Sequence, residues 1–200
     1  MFTGIVQGIG TVKACTNEGS VWTFTIELPS TDHLNRGASV SINGVCLTAT
    51  EIHGNNSSFD VIPETLQRSN LQNLTVGAPV NVERSLKMGD ELGGHLLSGH
   101  IMGLATISDI TPQGEGVDLK LAVKDELMKY IHEKGYIGLN GASLTIGEVF
   151  GNEFNIHLIP ETLKLTTFGT SKIGDHVNLE IDSMTQTIVA TVERIMKQEN

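Results

Sequence analysis

Two short strings that carry hydroxyl, thiol and carboxylate groups occur twice in this chain of 200 residues. Asn-Gly-Val-Cys-Leu-Thr at residues 43–48 returns as Asn-Gly-Ala-Ser-Leu-Thr at 140–145, and Ile-Pro-Glu-Thr-Leu at 62–66 returns unchanged at 159–163. The threonines and glutamates shared by the copies can hydrogen-bond a polar heterocycle, and the glycines let backbone amides join in. The sequence therefore predicts two similar pockets for the same kind of small molecule.

The positions at which the copies differ are the candidates for catalysis, because identical pockets cannot by themselves assign different roles to two bound molecules. The differing pairs, first copy against second, are Gly4 and His100, Arg36 and Lys134, Cys46 and Ser143, and Ser85 and Asp182. A histidine such as His100 can move protons near neutral pH, and Ser143, Cys46 or Ser39 can act as a nucleophile or hydrogen-bonding partner. Each of these residue types also has a common structural role. A histidine in a strand is usually structural or exposed, a serine in a turn usually caps the turn, and a lone cysteine usually packs in the hydrophobic core.

Two histidines five residues apart in a glycine-rich segment, His95 and His100, invite a test for a metal site. Neither Cys15 nor Cys46 has a CxxC partner, and a spacing of five places the two histidines on opposite faces of a strand. The segment also lacks the Lys-Ser/Thr ending of a phosphate loop and the spacing of a dinucleotide fingerprint. The sequence therefore predicts neither a metal nor a nucleotide cofactor.

The elements that must position these residues also come in two copies. An offset of 97 relates the repeated strings and continues from Val80–Glu83 to Val177–Glu180, while Thr3–Val6 lines up with Gly99–Met102 at an offset of 96. Each copy runs in short alternating segments such as Val21–Ile26, broken by Gly, Asn and Pro turns. Six or so strands of this kind close most economically into a barrel, because closure removes exposed edges. We expect an all-β fold of two similar barrels.

Helical spacing appears in three places. Apolar residues at helical spacing over Asp125–His132, and the weaker Thr31–Leu34 at the same place in the first copy, predict a short helix between strands in each barrel. Apolar residues at i, i+4, i+7 and i+8 from Ile188 predict an amphipathic helix over residues 186–198, outside the duplication. Its apolar stripe packs either on its own barrel or on another subunit.

Composition excludes several classes of protein. A net charge of −10 without a basic patch would repel a phosphate backbone, so nucleic acid is not an expected partner. No apolar run approaches about 18 residues, which argues against a membrane span. Residues Met1–Gly4 do not resemble a signal peptide, so we expect a cytoplasmic protein whose two cysteines are free thiols.

Together these strings resemble the riboflavin synthases. The resemblance rests on Met-Phe-Thr-Gly-Ile-Val at 1–6, the Asn-Gly-x-x-Leu-Thr pair, Gly-Gly-His-x-x-Ser-Gly-His at 93–100 and the doubled Pro-Glu-Thr-Leu. It implies an N-terminal lumazine-binding barrel at 1–97, a C-terminal one at 98–185, each a six-stranded Greek key, and a trimerisation helix at 186–200. It also implies a homotrimer with active sites between neighbouring chains, and admits lumazine synthase as a further partner.

The resemblance implies a dismutation without cofactor or metal. Two molecules of 6,7-dimethyl-8-ribityllumazine exchange a four-carbon unit, giving riboflavin and 5-amino-6-(D-ribitylamino)uracil. One substrate lies in the N-terminal barrel of one chain and the other faces it from the C-terminal barrel of a neighbour. Because the anion of the substrate's 7-methyl group is delocalised over the ring, positioning should supply most of the rate.

Site residues are carried over by motif. The first pocket is expected to contain Gly4, Ile5, Val6, Ser39, Cys46, Leu47, Thr48, Ile62, Pro63, Glu64 and Thr65. The second is expected to contain His100, Ile101, Met102, Lys134, Ser143, Leu144, Thr145, Ile159, Pro160, Glu161 and Thr162, with Asp182 near the end of the barrel. The catalytic candidates are His100, Ser143, Thr145, Cys46, Ser39 and Asp182. In this hypothesis His100 and Thr145 transfer the proton at the exocyclic carbon, while Ser39, Cys46 or a water adds to C7 of the partner.

A binding protein is the alternative. The lumazine-binding antenna proteins of luminous bacteria look similar, hold a fluorescent ligand without turning it over, and lose motifs in their second half. This chain keeps Gly-His, Ser-Leu-Thr and Pro-Glu-Thr-Leu there, which favours the enzyme. A departure from the pattern is Val45, where many relatives carry Cys or Thr before Cys46, which slightly weakens the case for a role at position 45. A flavin-dependent oxidoreductase would need a nicotinamide domain, for which the chain has no room.

Overall fold

The structure, a computed structural model, describes residues 1–198 apart from the side chain of Glu18, and contains two closed six-stranded antiparallel barrels. The strands of the first barrel are β1 Gly8–Glu18, β2 Val21–Glu27, β3 Ser39–Ile42, β4 Val45–His53, β5 Asn56–Val61 and β6 Pro79–Arg84. Those of the second are β7 Gly103–Gln113, β8 Gly116–Ala122, β9 Tyr136–Leu139, β10 Ala142–Phe150, β11 Glu153–Leu158 and β12 His176–Ile181. The helices are α1 Pro63–Arg68, α2 Asp125–Met128, α3 Pro160–Leu165 and α4 Ser183–Gln198, with 3₁₀ turns at Asn70–Asn73 and Thr167–Thr170. The expected all-β fold of two similar barrels is confirmed.

The two barrels share one topology. The strands follow one another around the first barrel as β1-β2-β5-β4-β3-β6, and around the second as β7-β8-β11-β10-β9-β12. Each barrel has its own core because alternate residues point inward along a strand, as Phe24 and Ile26 do in β2 and Leu119 and Leu121 in β8. The duplication in the sequence is therefore a duplication of complete, separately filled barrels.

The helices agree with the sequence in part. Helix α2 lies where one was expected, but Thr31–Leu34 forms only a turn, so that prediction is wrong. The reason is local: His33 has a φ of 56°, outside the right-handed helical region. Helices α1 and α3 were not predicted; each begins at the proline of a Pro-Glu-Thr-Leu string, and proline suits the first helical position because it lacks an N–H.

The C-terminal helix α4 begins three residues before its predicted start. The Asp182 carboxylate accepts hydrogen bonds from the Thr185 N–H (2.8 Å) and hydroxyl (3.0 Å), which caps the first turn. The last two residues of the predicted unit at 186–200 lie outside the described residues. Among residues 1–198, no helix is both long and apolar enough to cross a membrane.

One side of α4 contacts its own barrel through polar groups. The Lys129 ammonium group lies 2.7 Å from the Glu193 carboxylate, and the Gln186 amide donates to the Met102 sulfur (3.4 Å). The apolar stripe instead remains exposed, and its residues are Met184, Ile188, Val192, Ile195 and Met196. Much of the surface of Met184, Ile188, Val192 and Ile195 is therefore not covered by the barrel of the same chain.

The barrels are joined by buried asparagines at a pseudo-twofold interface. Asn178 of β12 accepts from the Asn70 N–H (2.6 Å) and donates to the Asn43 carbonyl (2.8 Å), both in the first repeat. Its equivalent in β6, Asn81, accepts from the Thr167 N–H (2.8 Å) and donates to the Asn140 carbonyl (2.9 Å), both in the second. The amide of each repeat therefore satisfies backbone groups of the other.

Glycine allows this interface to close. A Cβ atom at Gly44, which has a φ of +83°, would lie 2.6 Å from the Gly141 nitrogen. A side chain at either glycine would push the two asparagine-bearing turns apart.

We predict that Asn178→Ala lowers the free energy of unfolding by roughly 3 kcal/mol, because it leaves the Asn70 N–H and the Asn43 carbonyl buried without these partners. Urea denaturation followed by circular dichroism measures this. Asn35→Ala, at an exposed asparagine, is the control and should cost less than about 0.5 kcal/mol. Equal losses in the two variants would contradict a structural role for the Asn178 amide.

Candidate active site

Two segments that precede the barrels run side by side between them. We call Phe2–Val6 the N-terminal segment and Leu97–Ile101 the middle segment. They form a short antiparallel bridge in which the Phe2 N–H donates to the Leu97 carbonyl (2.8 Å) and the Leu97 N–H donates to the Phe2 carbonyl (3.0 Å). This bridge brings equivalent stretches of the two repeats together.

Each segment then continues to the barrel of the other repeat. The Gly4 carbonyl accepts from the Ser143 N–H (2.8 Å) of β10 in the second barrel. The Gly99 carbonyl accepts from the Cys46 N–H (3.0 Å) of β4 in the first barrel. The segments are therefore crossed, and each lies against the pocket residue of the opposite barrel.

These equivalent hydrogen bonds correct the alignment of the repeats. They pair Gly4 with Gly99, an offset of 95 rather than 96, so His100 stands opposite Ile5 and not opposite Gly4. The N–H of Lys134 donates to the Ile146 carbonyl just as that of Gly37 donates to the Ala49 carbonyl, so the counterpart of Lys134 is Gly37 and not Arg36.

The middle segment completes a cavity of about 270 Å³ in the first barrel. The residues around it are Val45, Cys46, Glu64, Thr65, Arg68, Ser69, Gly99, His100 and Ile101. Within this chain His100 and Ile101 therefore line the cavity of the first barrel, whereas the sequence assigned them to the second pocket. The crossing of the segments is the physical reason, and it places His100 beside a thiol, a hydroxyl and a carboxylate of the first barrel.

The N-terminal segment belongs to the second barrel in the same way. Val6 is buried in the core of the second barrel, and Gly4 contacts Ser143. The structure therefore places Gly4 and Val6 against the second barrel, whereas the exposed Ile5 lines a cavity with Val82 and Glu83 of the first. Met102, by contrast, packs against the second barrel, to which it was assigned.

The remaining predicted site residues differ in how much of each side chain a ligand could reach. Exposed ones are Ile5, Thr48, Ile62, Pro63, Glu64, His100, Lys134, Thr145, Ile159, Pro160 and Glu161. Half-buried ones are Ser39, Cys46, Thr65, Ile101, Met102, Ser143, Leu144, Thr162 and Asp182. Gly4, Val6 and Leu47 are buried. The Leu47 side chain packs in the first-barrel core, which leaves only its backbone to contact a ligand.

His95 belongs to the second site, although the sequence suggested it only as a possible metal ligand. Its Nδ1 lies 2.6 Å from the Ser143 hydroxyl, and its ring stacks on Tyr136 with centroids 5.1 Å apart. The ring is 6% exposed, and its Nε2 is buried without a hydrogen-bond partner. Burial lowers the pKa of His95, an effect that the charge of Asp182 opposes. The imidazole is therefore held toward its neutral form beside a serine hydroxyl.

The two sites thus differ at the atom most able to react. The first barrel presents the Cys46 thiol, and the second presents the Ser143 hydroxyl with a histidine bonded to it. The motif Gly-Gly-His-x-x-Ser-Gly-His contained the signal, since it carries a histidine on either side of the crossing. His95 and His100 both lie outside the strands, although the sequence predicted them on opposite faces of one. Within residues 1–198, no group of three or more His, Cys, Asp or Glu side chains is placed to hold a metal ion.

Comparison with known proteins gives the same division of the chain. The family described as "Lumazine binding domain" matches residues 3–85 and again residues 98–182. Riboflavin synthase of Escherichia coli (strain K12) is 51% identical over 199 residues, which cover 98% of this chain and 93% of that protein. Riboflavin synthase of Chlamydia pneumoniae is 42% identical over 200 residues, which cover 98% of this chain and 97% of that protein.

A solved structure agrees in fold. The crystal structure of LumP complexed with riboflavin superposes with a TM-score of 0.86 at 29% identity, covering 92% of this chain and all of that one. Two matches to the family domain, one for each barrel, account for most of the chain. The chain belongs to the lumazine-binding domain family and, within it, is a relative of the riboflavin synthases.

Proposed function

We propose that this chain is an enzyme that makes riboflavin from two molecules of 6,7-dimethyl-8-ribityllumazine, releasing 5-amino-6-(D-ribitylamino)uracil. The observation that carries the proposal is a pair of equivalent pockets whose reactive groups differ, Cys46 in one and Ser143 with His95 in the other. In this reaction one substrate molecule gives four carbons to a second molecule of the same compound. The two pockets must therefore bind the same compound but offer it different reactive groups. The full-length identity to riboflavin synthases supports the same reaction.

The first pocket is suited to hold one lumazine. Cys46, Glu64, Thr65 and His100 surround its cavity and offer thiol, carboxylate, hydroxyl and imidazole groups to a polar ring. His100 is exposed and can reach a neighbouring bound molecule, so we propose that it moves the proton of the 7-methyl group. Thr145, exposed on β10, is the proposed partner in that transfer from the second pocket.

The second pocket is suited to activate its lumazine by addition at C7. A neutral His95 whose proton is on Nε2 can accept the Ser143 hydroxyl proton at Nδ1, which makes the oxygen a better nucleophile. Asp182 acts on His95 through its charge, while its oxygens cap α4. Ser39 and Cys46 remain proposed nucleophiles for the first pocket, and Lys134 a proposed binding residue for the second.

A protein that only holds the ligand is the second candidate function. The superposition on LumP complexed with riboflavin favours it, because a match of this kind concerns binding and not turnover. The hydrogen-bonded pair of His95 and Ser143 distinguishes the candidates on chemical grounds, since a protein that only holds the ligand does not need an activated hydroxyl.

We propose a homotrimer in which the exposed stripe of α4 forms the contact between subunits. Exposed apolar side chains on one face of a helix, here Met184, Ile188, Val192 and Ile195, are a strong driving force for association. Face-to-face pockets from neighbouring chains would then bring two lumazines together. The proposed units remain 1–97, 98–185 and 186–200, with a cytoplasmic location and a lumazine synthase that supplies the substrate.

Incubation of the purified protein with 6,7-dimethyl-8-ribityllumazine alone should yield riboflavin, one molecule for every two lumazines consumed, because both halves of the reaction start from the same compound. Absorbance and chromatography of the products measure this ratio. His100→Ala should lower kcat more than it raises KM if His100 transfers a proton. Tight binding without riboflavin formation would instead support the holding function.

The lowered pKa of His95 predicts a dependence of stability on pH. Because the unfolded chain binds a proton at this histidine more readily than the folded one, the contribution of His95 to stability is fully present above the ordinary histidine pKa. That contribution is lost as the pH falls below the ordinary value and through the lowered pKa of the folded state. Urea denaturation at about pH 7.5 and about pH 5.5 should show this loss, and His95→Phe should reduce it. Ser143→Ala is the control, since it removes the hydrogen bond and keeps the buried imidazole. An unchanged loss in His95→Phe would assign the dependence to other groups.

The proposed trimer contact predicts that the double variant Ile188→Glu with Val192→Glu separates the subunits, because charges on the stripe would be buried at the contact. Light scattering should give three times the chain mass of 21.5 kDa for the unmodified protein and the single mass for the variant. Ala190→Glu, exposed on another side of α4, is the matched control and should remain trimeric. A trimer that survives the double variant would place the contact elsewhere.

A further inference from the structure

Glu83, near the end of β6, is a buried carboxylate that none of the chemistry above uses. Its exposed fraction is 3%. It accepts hydrogen bonds from the Thr3 N–H (2.6 Å), the Thr3 hydroxyl (2.8 Å) and the Gly4 N–H (3.1 Å). All three donors belong to the N-terminal segment, so one side chain of the first barrel fixes the start of that segment.

Glu180, near the end of β12, makes the same set of bonds in the second repeat. It is 5% exposed and accepts from the Ser98 N–H (2.6 Å), the Ser98 hydroxyl (2.7 Å) and the Gly99 N–H (3.0 Å). Burial raises the pKa of Glu180, while the bonds from Ser98 and Gly99 and the charge of His100 oppose that rise. The middle segment is thus attached to the second barrel by a carboxylate.

The carboxylate of Glu180 is connected through hydrogen bonds to residues of the first pocket. The Ser98 hydroxyl that donates to Glu180 accepts in turn from the His100 N–H (3.2 Å). One residue earlier, the Gly99 carbonyl accepts from Cys46 in the first barrel. The chain from Glu180 through Ser98 to His100 therefore begins in the second barrel and ends at the cavity of the first.

Where the two segments cross, their backbones pack so closely on the pocket residues that each segment has little room to move. Gly99 has a φ of +81°, and a Cβ atom added there would overlap the Cβ of Cys46. Gly4 has a φ of +74° and has the same relation to Ser143. A backbone packed this closely on a pocket residue needs a fixed attachment on its other side, which the glutamates provide.

We propose that Glu83 and Glu180 are crossed positioning residues: each, from its own barrel, holds the segment that completes the pocket of the other barrel. Neither carboxylate belongs to the cavity of the first pocket or bonds to Ser143 or His95 of the second. The geometry is independent of the ligand, and only the ligand readout below rests on the proposed function.

The test measures alkylation of Cys46 by iodoacetamide, followed by peptide mass spectrometry, with Cys15 in the same chain as the internal reference. Glu180→Ala should raise the rate at Cys46 on the order of tenfold, because the middle segment covering that thiol loses its attachment. Glu83→Ala is the matched control and should change it less than about twofold, since its effect falls on the second barrel. Equal increases in both variants, or an increase only in Glu83→Ala, would overturn the proposal.

A second variant keeps the test decisive where an alanine at a buried site prevents folding. Ser98→Ala removes the hydroxyl that links Glu180 to His100 and leaves the carboxylate in place. It should raise the alkylation rate at Cys46 in the same direction as Glu180→Ala, by a smaller factor. No change at Cys46 in Ser98→Ala would count against the proposed link.

Protection by ligand separates the two proposals. Saturating 6,7-dimethyl-8-ribityllumazine should shield Cys46 from iodoacetamide in the unmodified protein and in Glu83→Ala, and should shield it less in Glu180→Ala. Absence of protection in the unmodified protein would count against lumazine binding in the first pocket. The comparison without ligand would still decide whether the glutamates are crossed.

Discussion

Side-chain amides that satisfy backbone groups across a barrel interface fix the arrangement of this molecule. A closed barrel has no sheet edge to offer, so two barrels can join only through groups beyond their ladders. Asn81 and Asn178 supply those groups, each bonding to backbone of the opposite repeat. Each unpaired buried group would cost about 1–3 kcal/mol, which makes one relative orientation far more stable than others. That orientation sets Gly4 against Ser143 and Gly99 against Cys46.

The framework is symmetric, and the chemistry built on it is not. Strand order, the anchoring glutamates and the asparagines are shared. Cys46, however, occupies the position that Ser143 has in the second repeat, and His95 is hydrogen-bonded to that serine. The interface shows a milder asymmetry, because Thr167 stands where the first repeat has Asn70. A symmetric scaffold can bind two molecules of the same compound in equivalent ways. A few differences between the reactive residues are then enough to make the two molecules react differently.

The fold could be predicted from the sequence because its signals are local. Alternating residues give strands, and a constant offset gives equivalent positions such as Cys46 and Ser143. The crossing could not be predicted, since it depends on which barrel a short glycine-rich segment meets after both have folded. Without a pattern to anchor it, the alignment of that segment slipped by one residue and paired His100 with Gly4. The role of His95 beside Ser143 was missed for a similar reason: its partners Ser143 and Tyr136 are distant in sequence.

The crossed segments also bear on how such a chain can change over generations. After a tandem duplication, the two copies would ordinarily drift apart, each under its own selection. Here the first copy carries the backbone segment that packs against the second pocket, and the second copy carries the segment that packs against the first pocket. A change near Gly4 therefore alters the surroundings of Ser143, and a change near Gly99 alters those of Cys46. At these positions the two halves of the gene cannot change independently of each other, although their reactive residues differ.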